Sequence, residues 1–163
     1  MILVALGANL PGTDGRAPRA SCDAAVQAIA AIPGLRLVAV SRWWQTAPDP
    51  PMPGAPWYVN GLVRCEGTLT PEALLEALQA IEQAAGRERP FPNAPRSLDL
   101  DIIAMGDTVR DHPDPILPHP RAHLRRFVLQ PLAELAPGWI HPARGQSVEA
   151  LLESLPGAAM LAL

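Results

Sequence analysis

The apolar positions of this chain fall into two rhythms. Met1 to Leu6 is an unbroken apolar run that stops at Gly7, the pattern of a strand buried in mid-sheet. Gly7 to Gly12 then reads as a turn-rich exit. Cys22, Ala25, Val26, Ile29 and Ile32 recur at helical spacing, predicting a helix with Ser21 as its N-cap and Pro33-Gly34 as its stop. Leu35 to Trp44 alternates as a second strand. Trp57 to Glu66 is a third, with Val59, Val63 and Cys65 on one face and Tyr58 and Asn60 on the other. Leu74, Leu78, Ile81 and Ala85 supply the stripe of a second helix, capped by Thr70, opened by Pro71 and ended by Gly86. Pro95 to Ile103 returns to the two-residue period. Leu98, Leu100 and Ile102 point one way; Asp99 and Asp101 point the other.

The order strand, helix, strand, strand, helix, strand is the ferredoxin-like βαββαβ core of an α+β fold, an antiparallel sheet with both helices on one face. Tyr58, Asn60, Asp99 and Asp101 are then expected together on the other, open face. Two proline-stiffened segments flank it, residues 46–56 with five prolines and residues 87–95 with three, both read as restrained lids. C-terminal helical segments follow. Leu117-Pro118-His119-Pro120 stiffens the backbone around a histidine, and Arg121 to Phe127 forms a short basic helix or turn. Val128, Leu129, Leu132 and Leu135 pack a helix broken or begun at Pro131, and Ser147 starts a last helix through Leu155. Residues 1–163 read as a single domain.

Charge narrows the chemistry. Thirteen basic against sixteen acidic residues give a net charge of −3, no whole-chain signal for nucleic acid or membrane. Every basic residue is Arg, which excludes a P-loop lysine and Schiff-base catalysis. Cys22 and Cys65 have neither metal-ligand nor redox spacing and read as reduced packing residues. The N-terminal apolar run has no basic leader and reads as a strand rather than a signal peptide, and no apolar run reaches membrane-spanning length. A cytoplasmic location is expected.

Asp99 and Asp101 lie one strand repeat apart, roughly 6.6 Å at Cα. Two unneutralised carboxylates about 5 Å apart repel by roughly 3 kcal/mol at a surface-like dielectric. Such a pair is either the solvated outer face of a strand or a cation site, and magnesium takes one or two carboxylates together with substrate phosphates. Arg87, Arg89, Arg96, Arg121, Arg125 and Arg126 flank the pair in sequence. Glu82 edges onto the buried side of its helix, either as a partner of Arg87 or Arg89 or as part of a site. Trp43, Trp44, Trp57 and Trp139 read as packing, and His123 and His141 as exposed.

Gly7-Ala8-Asn9-Leu10, Ser41 to Pro48, Tyr58-Val59-Asn60, Glu82 with Arg87, Pro95-Arg96-Ser97-Leu98-Asp99-Leu100-Asp101-Ile102, and Leu117-Pro118-His119-Pro120-Arg121 through Arg125, Phe127 and Pro131-Leu132 occur in an order that resembles the 6-hydroxymethyl-7,8-dihydropterin pyrophosphokinases of folate synthesis. The likeness spans roughly residues 1–140. It implies transfer of the β,γ-pyrophosphoryl group of ATP, the co-substrate, to the pterin's hydroxymethyl oxygen, releasing AMP. By resemblance Asp99 and Asp101 hold two magnesium ions. Arg87, Arg89, Arg96, His119 and Arg125 match residues at the triphosphate, with Glu82 and Ile102 also beside ATP. Arg87 and Arg96 join the Asp pair as catalytic groups. Tyr58 and Phe127 match the rings that sandwich the pterin, Asn60 the amide that hydrogen-bonds it, and Thr46, Ala47 and Pro48 the segment that gives it backbone contacts. A monomer is expected, with ATP and the pterin as partners and neither nucleic acid nor membrane.

Three departures stand out: Phe91 to Pro95 differs in length and lacks the family's frequent Trp, Pro120 replaces a frequent Tyr, and Ala8 a frequent Ser. Two other functions suit the same residues, another magnesium-dependent phosphotransferase or phosphohydrolase, or a non-catalytic ferredoxin-like binding module.

Overall fold

The computed structural model describes residues 1–10, 15–48, 50–86, 98–157 and 159–163. Strand β1 (Ile2–Ala8) is the centre of an antiparallel sheet and is almost wholly buried, as its apolar run requires. It pairs on one side with β4 (Tyr58–Gly67) and on the other with β5 (Asp99–Met105), which is an edge strand. Gly7 and Ala8 belong to β1 rather than to a turn, paired with Asn60 and Val59.

The expected second strand is broken in two. β2 (Leu35–Val40) and β3 (Trp44–Thr46) pair with opposite ends of β4. Ser41 bridges the break: its N–H donates to Leu62 O, and its Oγ accepts the Leu62 N–H, both at 2.9 Å. The interruption lets Trp43 turn inward, 5% exposed, over Gly61. A short strand that the sequence pattern did not suggest, β6 (Met160–Ala162), extends the sheet beyond β3.

Helix α1 (Pro18–Ala30) starts before Ser21, which is buried inside it. Pro18 at the first turn supplies the helical φ that a capping side chain would otherwise help to set, and Ala17 is the N-cap. Helix α2 (Pro71–Ala84) follows its sequence signature, with the Thr70 hydroxyl accepting the Ala73 N–H. Both helices cover one face of the sheet. Cys22, Val26, Ile29, Leu74 and Leu78 close on Val4, Leu6, Val63, Leu100 and Ile102 in one core. A fully buried Leu such as Leu74 contributes about 1.5–3 kcal/mol there. Cys22 and Cys65 are free, buried thiols, pushed up to about 12 and about 11 chiefly by burial.

The opposite face is only half open, against expectation. A 3-10 turn at Ala122–Leu124 leads into α3 (Arg126–Leu135), which runs unbroken through Pro131. With α4 (Val148–Glu153), capped by Ser147 as expected, α3 lies over Leu3, Leu62 and Ile103 and forms a second core. Arg126, at the start of α3, donates from its guanidinium to Leu152 O and Leu155 O at 3.0 Å, tying down the end of α4. His141 is buried, 3% exposed, and His123 is half-buried, so neither is the exposed residue expected. Trp57 is 40% exposed and is no core residue. Among the described residues no helix is long and apolar enough to cross a membrane.

Candidate active site

Register, set by the alternation of β1, β4 and β5, builds the site. Gly7 stands between Asn60 on β4 and Asp99 on β5; Ala5 stands between Leu62 and Asp101. The central strand thus offers its two smallest side chains where its neighbours offer amide and carboxylates. A Cβ at Gly7 would lie 2.7 Å from Asn60 Oδ1, so the glycine is what lets the Asn60 side chain lean over β1. Where the same face continues into Leu3, Leu62 and Ile103, α3 closes it. The polar groups sit at the edge of that cover.

They share one cavity. Its walls include Tyr58, Asn60, Asp99, Asp101, Arg125 and Phe127, together with the Thr46-Ala47-Pro48 segment. Asn60 is 8% exposed and donates from Nδ2 to Thr46 Oγ1 at 2.5 Å, which fixes the orientation of its amide. The Arg125 guanidinium carbon lies 5.3 Å from the centre of the Phe127 ring, a cation–π arrangement that braces both side chains. Burial, then the charge and hydrogen bonding of Asp99, push the Asp101 carboxyl up to about 7, while Arg125 pulls the other way. Two acids held in a part-desolvated pocket make the pair a receptor for positive charge.

His119 does not line that cavity but stands beside it. Its N–H donates to Ile103 O at 2.9 Å and its Nδ1 accepts the Arg121 N–H at 3.2 Å. Burial first, then Arg125 and Arg121, push it down to about 4, so the imidazole is neutral at pH 7 with its proton on Nε2. Glu82 lies on the helix side, 2% exposed, with Oε2 accepting the Leu100 N–H at 2.8 Å. Its first duty is to a strand edge. Ile102 is 4% exposed in the helix-side core, leaving only its main chain available to a ligand. Arg87, Arg89 and Arg96 lie outside the described residues, as does Phe91.

Ile103, Met52, Ala55 and Asn9 also line the cavity, and sequence reasoning gave them no role. Asn9 had a sequence signal only as part of the Gly7-Ala8-Asn9-Leu10 motif; it is 3% exposed and its Nδ2 donates to Pro56 O at 3.1 Å, pinning the proline-rich segment to the end of β1. Among the described residues no cluster of three or more His, Cys, Asp or Glu could hold a metal ion; the acid pair is a two-ligand arrangement.

Residues 3–137 match the family model described as 7,8-dihydro-6-hydroxymethylpterin-pyrophosphokinase. A 2-amino-4-hydroxy-6-hydroxymethyldihydropteridine pyrophosphokinase of Pseudomonas aeruginosa is 41% identical over 96% of this chain and 98% of its own length. One of the same name from Synechocystis sp. is 37% identical over 94% of this chain and 75% of its own. The Folic acid synthesis protein fol1 of Schizosaccharomyces pombe is 36% identical over 77% of this chain, which corresponds to 17% of that longer protein.

Proposed function

The chain belongs to the 7,8-dihydro-6-hydroxymethylpterin-pyrophosphokinase family, and we propose that it performs its chemistry on the half-open face of β1, β4 and β5, with Asp99 and Asp101 as magnesium ligands. The reaction is the ATP-dependent transfer of a pyrophosphoryl group to the hydroxymethyl oxygen of 6-hydroxymethyl-7,8-dihydropterin, a step of folate biosynthesis. The observation that carries the site reading is the acid pair itself: two neighbouring carboxylates, one driven toward neutrality by burial, in a cavity that also holds Tyr58, Asn60 and Phe127.

The donor set fits magnesium, two hard oxygen ligands with room for phosphate oxygens. Two such ions, when bound, neutralise polyphosphate charge and polarise the transferred group. Everything else falls to the chain. Tyr58 and Phe127 hold the flat pterin by stacking. Asn60, oriented by Thr46, offers a donor and an acceptor to the pterin edge, and the main chain of Thr46, Ala47 and Pro48 completes the rim. Arg125 brings positive charge to the triphosphate, and His119 offers its Nε2–H without competing for the metal as a cation would. Ile102 meets ATP through its main chain. Arg87, Arg89 and Arg96 add guanidinium groups suited to bidentate phosphate binding, Arg87 and Arg96 acting at the transferred group. Glu82 fixes the strand that carries the acids. Transfer of this kind needs placement and charge neutralisation rather than a protein nucleophile.

In this reading residues 1–163 form one catalytic domain, a cytoplasmic monomer whose partners are ATP and the pterin, with neither nucleic acid nor membrane. Product chromatography after incubation with ATP, Mg²⁺ and the pterin tests it. AMP and pterin diphosphate are expected, and Asp99→Ala or Asp101→Ala should lower turnover by orders of magnitude with the far-UV spectrum unchanged. ADP with phosphate, or a mutant with wild-type kinetics, would sink the assignment.

A further inference from the structure

A second cleft opens away from the acid pair, between the Val109–Asp111 turn, the Leu117–Pro120 strap and the turn at residues 141–144. It shares no lining residue with the cavity over Asp99 and Asp101, although His119, which stands beside that cavity, is among the residues that line this cleft. What distinguishes this cleft is an unused donor. His141 is 3% exposed, and its Nδ1 accepts the N–H groups of Ala143 at 3.2 Å and Arg144 at 3.0 Å. A ring nitrogen that accepts is unprotonated, so the neutral imidazole carries its proton on Nε2. That Nε2–H is buried and has no partner among the described residues. His123 stands beside it, ring centroids 5.7 Å apart and planes at 80°, with a buried Nδ1 that also lacks a partner. An unmet buried donor costs on the order of 1–3 kcal/mol, and native proteins keep few of them.

The tautomer excludes a metal at His141, because the ligating lone pair on Nε2 is occupied by the proton. The charge favours an anion. Arg144 lines the same cleft, and its positive charge helps hold both imidazoles below their ordinary range, after burial and, for His141, after His123. Its Nε donates to Gln146 Oε1 at 3.1 Å, while its terminal nitrogens make no hydrogen bond among the described residues. Arg110, by contrast, is already engaged by Glu72, Asp114 O and Pro115 O, and Asp111 by His112. We propose that this cleft is a binding site for a small oxyanion of the phosphate class, with His141 Nε2–H and the Arg144 guanidinium as its donors. His123 takes the tautomer that donates from Nδ1 to a second oxygen.

The test is a titration of the full chain, ¹⁵N-labelled at histidine, with inorganic phosphate while an uncleavable ATP analogue and magnesium fill the active site. The His141 Nε2 signal should shift saturably, and the His141 pKa should rise as the anion binds. Arg144→Gln should weaken that binding by about tenfold or more, the worth of a charge-assisted hydrogen bond, with kcat/KM for ATP and pterin unchanged. No shift at His141, or equal phosphate affinity in Arg144→Gln, would overturn the proposal. So would a through-hydrogen-bond coupling between His141 Nε2 and His123 Nδ1, because the donor would then be spent inside the protein.

Discussion

Gly7→Ala tests the pterin half of the proposed site with a single methyl group. The added Cβ would meet Asn60 Oδ1 at 2.7 Å, with Asn60 Cγ and Tyr58 Cδ1 at 3.8 Å. β1 cannot slide away, because it is paired along its whole length with β4 and nearly all of it with β5. The Asn60 amide is the part that gives. Moving it breaks the Nδ2–H to Thr46 Oγ1 contact, about 1 kcal/mol net, and misaligns whatever the amide donates to and accepts from the pterin, worth a similar amount per bond. The bond to Thr46 is lost with or without pterin and so lowers stability, while the two bonds to the pterin total about 2 kcal/mol, or roughly 30-fold in pterin affinity. ATP affinity should hold, since none of the atoms nearest the new methyl belongs to the acid pair. Calorimetric titration of pterin into protein saturated with an uncleavable ATP analogue gives the number directly. Gly61→Ala supplies the contrast: there a Cβ would meet the Trp43 ring at 2.6 Å on the helix side, so the loss should appear as about 1–3 kcal/mol of stability. A folded Gly7→Ala protein with wild-type pterin affinity would refute the placement of Asn60.

Three further outcomes are expected. Glu82→Ala strands the buried Leu100 N–H and empties the side-chain volume, costing about 2–4 kcal/mol in urea titrations, whereas Glu82→Gln keeps an acceptor and should cost much less; equal losses would remove the hydrogen bond from the account. Glu134 ties α3 to β3, accepting Trp44 Nε1–H at 2.9 Å and Arg42 N–H at 3.0 Å, so Glu134→Ala should raise the pterin KM by about fivefold and leave the ATP KM alone; a shift in ATP KM instead would contradict it. His119, held down to about 4 against 6.5, binds fewer protons folded than unfolded, so its contribution is complete above pH 6.5 and is lost as pH falls toward 4, by roughly 3 kcal/mol at most. Asp101, raised to about 7, works in the opposite sense without metal, gaining as pH falls, so the measurement is the difference in stability-versus-pH slope between wild type and His119→Gln; identical slopes would mean His119 is not desolvated.

The sequence pattern was most legible where one physical requirement acted alone. The alternation around Asp99 and Asp101 predicted their common face, because a slip of one residue would have buried both acids and exposed Leu100 and Ile102. Thr70 and Pro71 marked the start of α2 because capping is local. Failures came where two requirements overlapped. Leu35 to Trp44 alternates throughout, yet Trp43 gains more by filling the core over Gly61 than by continuing the ladder, and Ser41 supplies the bonds that the break would lose. β6 is only three residues long and exists because β3 offers it an edge. The open face was over-estimated since nothing in Leu3, Leu62 or Ile103 says which helix will come to cover it; α3 does, through non-local packing that no local period encodes. His141 reads as exposed for a similar reason: besides the nearby Trp139, its ring packs edge-on against His123, a contact across the 3-10 turn and α3 that no local period encodes.

The acid pair raises a question of rigidity that its fold answers. β5 is an edge strand, and edge strands carry unpaired main-chain groups and fray easily. Here two of those groups are taken up from two directions: the Leu100 N–H, between the two acids, by Glu82 of α2, and the Ile103 carbonyl, just past them, by the His119 N–H of the proline-stiffened strap. Two of the residues that the family resemblance sets beside ATP, Glu82 and His119, therefore also hold the strand that bears Asp99 and Asp101. A pair of like charges that would otherwise push its strand away from the sheet is clamped on its outer edge and braced on its inner edge by β1. Under the proposed assignment, placement of the acids is thus built before any cation or nucleotide would arrive, and that preorganisation is what a transfer reaction without a protein nucleophile requires.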